Sequence, residues 1–264
     1  MNNINILAID TSLEHCSVAL QYEQVIQEIF SDSSKERSKK LIDIIEKCLS
    51  GRELEELHAL AFAAGPGSLT GLKVGSSIIQ AISTVYDLPI IKVSTLQALA
   101  LQAYEELPLN FKLNLKFIMP CIDAKMNQVY YGIYKINNKH VQSAPPEQEA
   151  PAEQQDQLYS STLIPVPIHF DTLGRWENIN FLNENNKIKE DIISPKDEIL
   201  LVGDNSWLDK QNLPENIVSR VNIYNKLIQY SAKNIVKIAD YLYKNYVIIS
   251  KSRDAIPLYI RSYD

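Results

Sequence analysis

Residues 63–75 read AAGPGSLTGLKVG and decide how the chain around them folds. Glycines, hydroxyl side chains and a lysine within a few positions give this stretch the composition of a loop that wraps a phosphate group. The phosphate-loop pattern requires four residues between its glycines and a Lys-Ser or Lys-Thr pair directly after the second glycine. Here five residues separate Gly65 from Gly71, Lys73 follows two places later, and Val74 comes next. The spacing therefore does not match a phosphate loop.

The flanking residues indicate instead a corner between a strand and a helix. Residues 57–64 (LHALAFAA) form a short apolar run suited to a buried strand, and residues 71–86 carry helical periodicity. Between them, Gly65-Pro66-Gly67 supplies the unusual backbone angles of a turn. Ser68 or Thr70 is expected to cap the free N–H groups at the start of the helix. We favour this structural corner over an anion site, because a helix N-terminus tolerates an anion without requiring one.

A strand, an aspartate-led turn and a second strand occur twice in the sequence. The first copy spans 4–22 and turns at Asp10, and the second spans 116–136 and turns at Asp123. Such a recurrence predicts an internally duplicated α/β fold with two lobes.

Composition and length set the domain organisation. With 264 residues, 45% of them hydrophobic, the chain can bury a sizeable core. We predict an N-terminal, partner-binding lobe at 1–105 and a C-terminal lobe at 106–264. Within the second lobe, residues 142–161 are rich in Pro, Gln, Glu and Ser, which predicts a flexible surface loop.

The net charge and the cysteine spacing indicate which partners and which cellular compartment to expect. A net charge of -6 argues against a broad basic face for unaided binding of nucleic acid. The cysteines are odd in number and widely spaced, which is typical of reduced thiols in the cytosol. Since the sequence has neither a signal peptide nor an apolar run of ~18 residues, we expect a cytoplasmic protein without membrane contact.

Two aspartates are the main candidates for chemistry. Asp10 and Asp123 each end an apolar strand, where paired carboxylates hold a metal ion or activate water; alternatively, each caps its own turn. Both alternatives stay open. Neither turn contains the glycine that close approach to a triphosphate requires, so we expect weak nucleotide affinity. The histidines are isolated and no G-x-S-x-G motif exists, so the sequence predicts neither a histidine metal site nor a hydrolase triad.

Several stretches, taken in order, resemble those of one known family. They are ILAIDTS (6–12), AFAAGPGSLTGLKVG (61–75), VSTLQALA (93–100), CIDAKMNQVYYGIY (121–134) and PLYIR (257–261). In these blocks the chain is similar to the TsaB family, also called YeaZ, of bacterial tRNA threonylcarbamoyladenosine biosynthesis proteins.

The resemblance implies an actin-like, Hsp70-like (ASKHA) α/β fold of two duplicated ribonuclease-H-like lobes. It implies a non-catalytic subunit that supports TsaD, the catalytic and metal-binding protein, in forming N6-threonylcarbamoyladenosine at position 37 of tRNAs that read ANN codons. TsaD carries a histidine pair on a helix, and this chain has no histidine between His15 and His58. The ATPase TsaE would join the complex, tRNA would be bound only through it, and the free chain would form a homodimer or stay a monomer. No tightly bound cofactor is implied, and ATP, ADP or Mg²⁺ at the subunit junction is left open.

The resemblance also assigns residues to two sites. The contact with TsaD, or with a second copy, uses two helices that map to 35–49 and 71–85. The interface residues are Arg37, Leu41, Ile44, Ile45, Cys48, Leu72, Lys73, Gly75, Ile78 and Ile82. The vestigial nucleotide cleft consists of Asp10, Thr11, Ser12, Asp123 and Lys125.

Three positions depart from the family pattern, and one glycine pair raises a separate question. Leu69 stands where phenylalanine is usual, and Lys73 and Lys125 stand where arginine is usual, so any ion pair they form is less directional. Gly71 and Gly75 lie one helical turn apart and let another backbone approach closely, either from within the chain or from a second subunit.

Two enzyme hypotheses compete with the scaffold. One is a small-molecule kinase of the same fold that uses Asp10 and Asp123 with Mg-ATP; the missing turn glycines count against it. The other is a metallopeptidase, for which the sequence offers no ligand set.

Overall fold

The structure is a computed structural model that describes part of the chain. The described residues are 4–13, 15–31, 37–112, 114–126, 128–136, 163–179, 197–203, 213–224, 226, 228–245, 255–258 and 260. The predicted loop at 142–161 and the side chain of Arg37 lie outside the described part.

The chain divides into two compact units. The first comprises Met1–Leu99, Asp171–Leu173 and Gln229–Asp264, and the second comprises Ala100–Phe170 and Gly174–Ile228. The predicted boundary between residues 105 and 106 differs from this division in one main respect, because the C-terminal segment belongs to the first unit rather than to the second.

The first unit is built on a five-stranded sheet of order β3-β2-β1-β4-β5. Its strands are β1 (Ile6–Asp10), β2 (Cys16–Tyr22), β3 (Val25–Ser31), β4 (Ala59–Gly65) and β5 (Ile90–Ser94). β1 and β3 pair antiparallel with β2, as a tight hairpin allows, whereas β4 is parallel to both β1 and β5. β1 and β4 are buried along their whole length and are apolar except for Asp10 at the end of β1, so both faces of the sheet centre are covered.

Helices cover this sheet. α1 (Arg37–Leu49) packs on β2 and β3, and α2 (Leu69–Tyr86) packs on β4. α3 (Thr95–Glu106) spans the boundary between the two units. The predicted strand, turn and helix around residues 63–75 are confirmed as β4 and α2.

The C-terminal helix α6 (Ala232–Asn245) packs on β1, β2, β4 and β5 of the first unit. Its first turn is fixed there, because Ala232 N donates to Ser17 Oγ at 2.8 Å and Lys233 N donates to Glu28 Oε1 at 2.8 Å. The apolar side of α6, with Ile235 and Ile238, is buried. The periodicity of residues 226–246 predicts an amphipathic helix here but does not tell which sheet its apolar side covers.

The second unit contains a sheet of order β10-β9-β6-β7-β8. Its strands are β6 (Phe117–Lys125), β7 (Gln128–Lys135), β8 (Val166–Gly174), β9 (Ile199–Gly203) and β10 (Val221–Ile223), with short helices α4 (Leu109–Lys112) and α5 (Glu215–Val218). β6 pairs antiparallel with β7 and parallel with β9, just as β1 pairs with β2 and β4. This repeated order confirms the predicted duplicated α/β fold.

Candidate functional site

The corner at residues 65–68 starts helix α2 as the sequence predicts. Gly65 has a φ of +114°, a conformation that L side chains rarely adopt. Ser68 caps the helix, because its Oγ accepts a hydrogen bond from Gly71 N at 3.3 Å. Ser68 N in turn donates to the carbonyl of Ser12 at 2.9 Å, so the corner is joined to the β1–β2 turn.

The β1–β2 turn packs directly against α2. Thr11 Oγ1 donates to the carbonyl of Gly71 at 2.8 Å. A Cβ atom at Gly75 would lie 2.4 Å from Thr11 Oγ1, and one at Gly67 would lie 2.7 Å from the carbonyl oxygen of Ser12. Both glycines are therefore required for the turn to approach the corner and the helix. The neighbour that Gly71 and Gly75 admit comes from within the chain.

Asp10 is buried at the end of β1. Its Oδ1 accepts hydrogen bonds from Ser12 N at 2.8 Å and from Ser12 Oγ at 2.5 Å, whereas its Oδ2 has no hydrogen-bond partner. Burial raises the pKa of Asp10 above its ordinary value, although the two hydrogen bonds from Ser12 oppose the change. The hydroxyl of Ser12 also lies 3.0 Å from that of the fully buried Tyr230. The turn is thus held by polar contacts within the first unit.

Asp123 lies near the end of β6 in the second unit and has a local partner. Lys125 N donates to Asp123 Oδ1 at 2.8 Å, and Lys125 Nζ lies 2.7 Å from Asp123 Oδ2. Burial alone would raise the pKa of Asp123, but the hydrogen bonds and charge of Lys125 together lower it. Because Lys125 is exposed, the ion pair adds little stability.

Each aspartate accepts a hydrogen bond from the backbone N–H two residues further on, as the capping alternative expects. In the described part of the chain, no group of three or more His, Cys, Asp or Glu side chains is arranged to hold a metal ion. No observation on these residues favours the kinase hypothesis.

Half of the predicted interface residues lie in the core of the first unit. They are Leu41, Ile44, Ile45, Cys48 and Leu72. Four of them form the apolar stripe of α1, which faces its own sheet, as amphipathic helices do. In the chain as described, these side chains are not available to a partner, and their contribution to an interface would be indirect. The interface itself stays a prediction.

The outer face of α2 consists of different residues. Leu69, Lys73, Ser77, Ala81 and Val85 follow one another at intervals of four and are all exposed. We call this set the α2 outer face. Leu69 is 52% exposed and Val85 74% exposed, and Lys73 is the only charged member.

The predicted residues Ile78 and Ile82 lie beside the α2 outer face and are partly buried. Sequence reasoning missed Leu69, Ala81 and Val85 as surface candidates. The sequence does contain a signal for them, because the apolar residues of α2 are spread over more sides of the helix than its own sheet can cover.

The chain is similar in sequence to a known family and to individual curated proteins. The family model described as TsaD, tRNA N6-adenosine threonylcarbamoyltransferase, matches residues 25–240. The tRNA threonylcarbamoyladenosine biosynthesis protein TsaB of Haemophilus influenzae is 41% identical over 50% of this chain and 54% of its own length. TsaB of Buchnera aphidicola from Schizaphis graminum is 38% identical over 50% of this chain and 61% of its own length. The matches thus span little more than half the length of these curated relatives.

The similarity in structure extends further along the chain. YeaZ from Pseudomonas aeruginosa superposes with a TM-score of 0.71 at 20% sequence identity, covering 97% of this chain and all of that one. The predicted fold and the predicted resemblance to TsaB and YeaZ are confirmed. Among the described residues, no helix has both the length and the apolar character needed to cross a membrane.

Proposed function

The chain belongs to the family described as TsaD, tRNA N6-adenosine threonylcarbamoyltransferase, and from this premise we propose that it acts in threonylcarbamoyladenosine biosynthesis in tRNA. Its similarity to proteins named TsaB and YeaZ makes it, in this proposal, the non-catalytic subunit that docks on the transferase TsaD. TsaE joins this complex in an ATP-dependent step, and the tRNA modification takes place in the cytoplasm.

The observation that carries the non-catalytic role is the packing of the β1–β2 turn. Thr11 donates to the carbonyl of Gly71, and Ser12 bonds to Asp10. The carbonyl of Ser12 accepts from Ser68 N. The polar groups of Thr11 and Ser12 are therefore used to hold the first unit together. We propose that ATP, ADP or Mg²⁺, if required, binds at the junction with TsaD rather than in this turn.

The α2 outer face supports the docking role. Apolar side chains on a solvent-facing helix are stabilised when a second protein covers them, and Leu69 and Val85 are both more than half exposed. In the absence of TsaD, the same face would favour contact with a second copy of the chain. The net charge of -6 favours contact with tRNA through the assembled complex.

Reconstitution tests this proposal. Threonylcarbamoyl transfer to tRNA is measured with threonylcarbamoyl-adenylate, ATP, TsaD and TsaE, with and without this chain. We expect modification only when the chain is present and none from the chain alone. Equal transfer without the chain would remove the proposed role.

Binding variants locate the docking surface. Ala81→Lys and Val85→Lys each place a charge on the α2 outer face, and we expect each to weaken binding to TsaD about tenfold or more, as buried unpaired charges do. Val25→Lys is the matched control, because Val25 on β3 is 70% exposed and Val85 is 74% exposed. Equal affinities for all three variants and the unchanged chain would exclude the α2 outer face as the contact.

A further inference from the structure

The segment Ala255–Leu258 lies against the first unit in an extended form. Ala255 and Pro257 are buried, and Ala255 is part of the core beneath α2. Ile256 and Leu258 point outward and are 54% and 41% exposed. This alternation is what an extended segment shows when one of its sides rests on the protein.

Two hydrogen bonds join this segment to two different elements. Gln80 Nε2, from the middle of α2, donates to the carbonyl of Ala255 at 3.0 Å. Leu258 N donates to the carbonyl of Ala64 at 2.7 Å, at the end of β4. The register between β4 and β5 shifts between Ala63 and Gly65, so this carbonyl lies at an interruption of the ladder. The segment therefore connects α2 with the strand that leads into it.

Gly65, at the corner, packs closely against this segment. A Cβ atom at Gly65 would lie 3.3 Å from the carbonyl oxygen of Leu258 and 3.0 Å from Leu72 Cδ1. Both contacts are tighter than ordinary van der Waals contact. The segment and the first turn of α2 thus pack on the same point of the corner.

We propose that residues 255–258 form a tail strap that fixes α2 from the corner to Gln80. The strap bonds to the end of β4 on one side of the corner and to Gln80 on the other, so α2 cannot shift along the sheet without breaking one of these bonds. The position of the α2 outer face then depends on a segment far away in the sequence. The consequence for docking rests on the function proposed above, whereas the effect on α2 does not.

Two variants remove the strap in different ways. Leu258→Pro deletes the N–H group that Ala64 accepts from, and proline suits an extended segment. Truncation after Ile256 removes the same bond but leaves Ala255 in the core and its carbonyl with Gln80. The control is the double substitution Ile256→Ser with Leu258→Ser, which changes both outward side chains and keeps the backbone donor.

Hydrogen exchange followed by mass spectrometry measures the effect on α2. In Leu258→Pro we expect exchange at least tenfold faster in peptides from 64–80, and no change in peptides from the β2–β3 hairpin. The double serine variant should exchange like the unchanged chain. Unchanged exchange in Leu258→Pro and in the truncated chain would overturn the strap.

Affinity for purified TsaD gives the second readout. We expect at least tenfold weaker binding for Leu258→Pro and unchanged binding for the double serine variant. If the serine variant also loses binding while its exchange is unchanged, the outward side chains contact the partner directly and a positioning role for the strap is wrong. If no variant, including the unchanged chain, binds TsaD, the proposed function fails, while the exchange result still decides the strap.

Discussion

The substitution Gly75→Ala has the most specific predicted effect on the stability of the fold. In the interior of an exposed helix, replacing glycine by alanine stabilises the fold by about 1 kcal/mol. Here the added methyl group would lie 2.4 Å from Thr11 Oγ1, far inside the ordinary contact range of 3.4–4 Å. Relief requires the Thr11 side chain to rotate, or α2 or the β1–β2 turn to move, and such overpacking costs about 1–3 kcal/mol.

Such a rearrangement would also weaken or break a hydrogen bond. The bond from Thr11 Oγ1 to the carbonyl of Gly71 is buried and contributes about 1 kcal/mol. The losses exceed the gain in helix propensity, so we expect Gly75→Ala to lower the free energy of unfolding by about 1–3 kcal/mol. Urea denaturation followed by circular dichroism measures this difference. Ser77→Ala on the exposed side of the same helix is the control, and it should gain a few tenths of a kcal/mol.

A double-mutant cycle with Thr11→Ala isolates the contact. Without Oγ1, the nearest remaining atom is the Thr11 Cβ at 3.6 Å, an ordinary distance. In that background Gly75→Ala should be neutral or stabilising by up to about 1 kcal/mol, which gives a coupling of about 1–4 kcal/mol. If Gly75→Ala stabilises the unmodified chain as Ser77→Ala does, or if the coupling is zero, the close approach of the turn to α2 is refuted.

Three further predictions concern Asp10, Cys48 and Gly67. Burial raises the folded-state pKa of Asp10 above its unfolded value of 3.8, so the folded state binds more protons between these values and its stability falls as pH rises through that window. We expect Asp10→Asn to remove this loss, so that its melting temperature relative to the unchanged chain increases from pH 4 to pH 8; a constant difference would contradict the assignment. Burial raises the pKa of the Cys48 thiol to about 11, so iodoacetamide at pH 8 should leave Cys48 unmodified in the native chain and alkylate it in urea, as peptide mass spectrometry would show. Gly67→Ala would place a methyl group 2.7 Å from the carbonyl oxygen of Ser12. We expect this substitution to lower the free energy of unfolding, measured by urea denaturation, by about 2 kcal/mol or more, whereas an unchanged value would show that the β1–β2 turn can move to accommodate the methyl group.

The sequence predicts elements well where local patterns are strong. The apolar run before Gly65, the cap at Ser68 and the twice-repeated hairpin each appear in the structure close to the predicted bounds. These features depend on neighbouring residues only, so no knowledge of tertiary contacts is needed to predict them.

The surface was harder to predict, because apolar periodicity marks the side of a helix that faces its own core. The resemblance assigns Leu41 and Ile45 to an interface, but both lie on the apolar side of α1 and are buried in the core of the first unit. The contact between Thr11 and Gly75 joins residues far apart in sequence, and the paired glycines could indicate only that something approaches closely. The placement of α6 was open for the same reason.

The discontinuity of the first unit has a consequence for synthesis on the ribosome. Residues Met1–Leu99 supply all five strands of its sheet, but α6 comes from Gln229–Asp264. While the intervening residues are being translated, the side of the sheet that α6 covers has no helix to bury it. The second unit, by contrast, has all its strands before α6 emerges from the exit tunnel. Nascent chains stalled before residue 229 should therefore need a chaperone to shield that apolar side of the sheet.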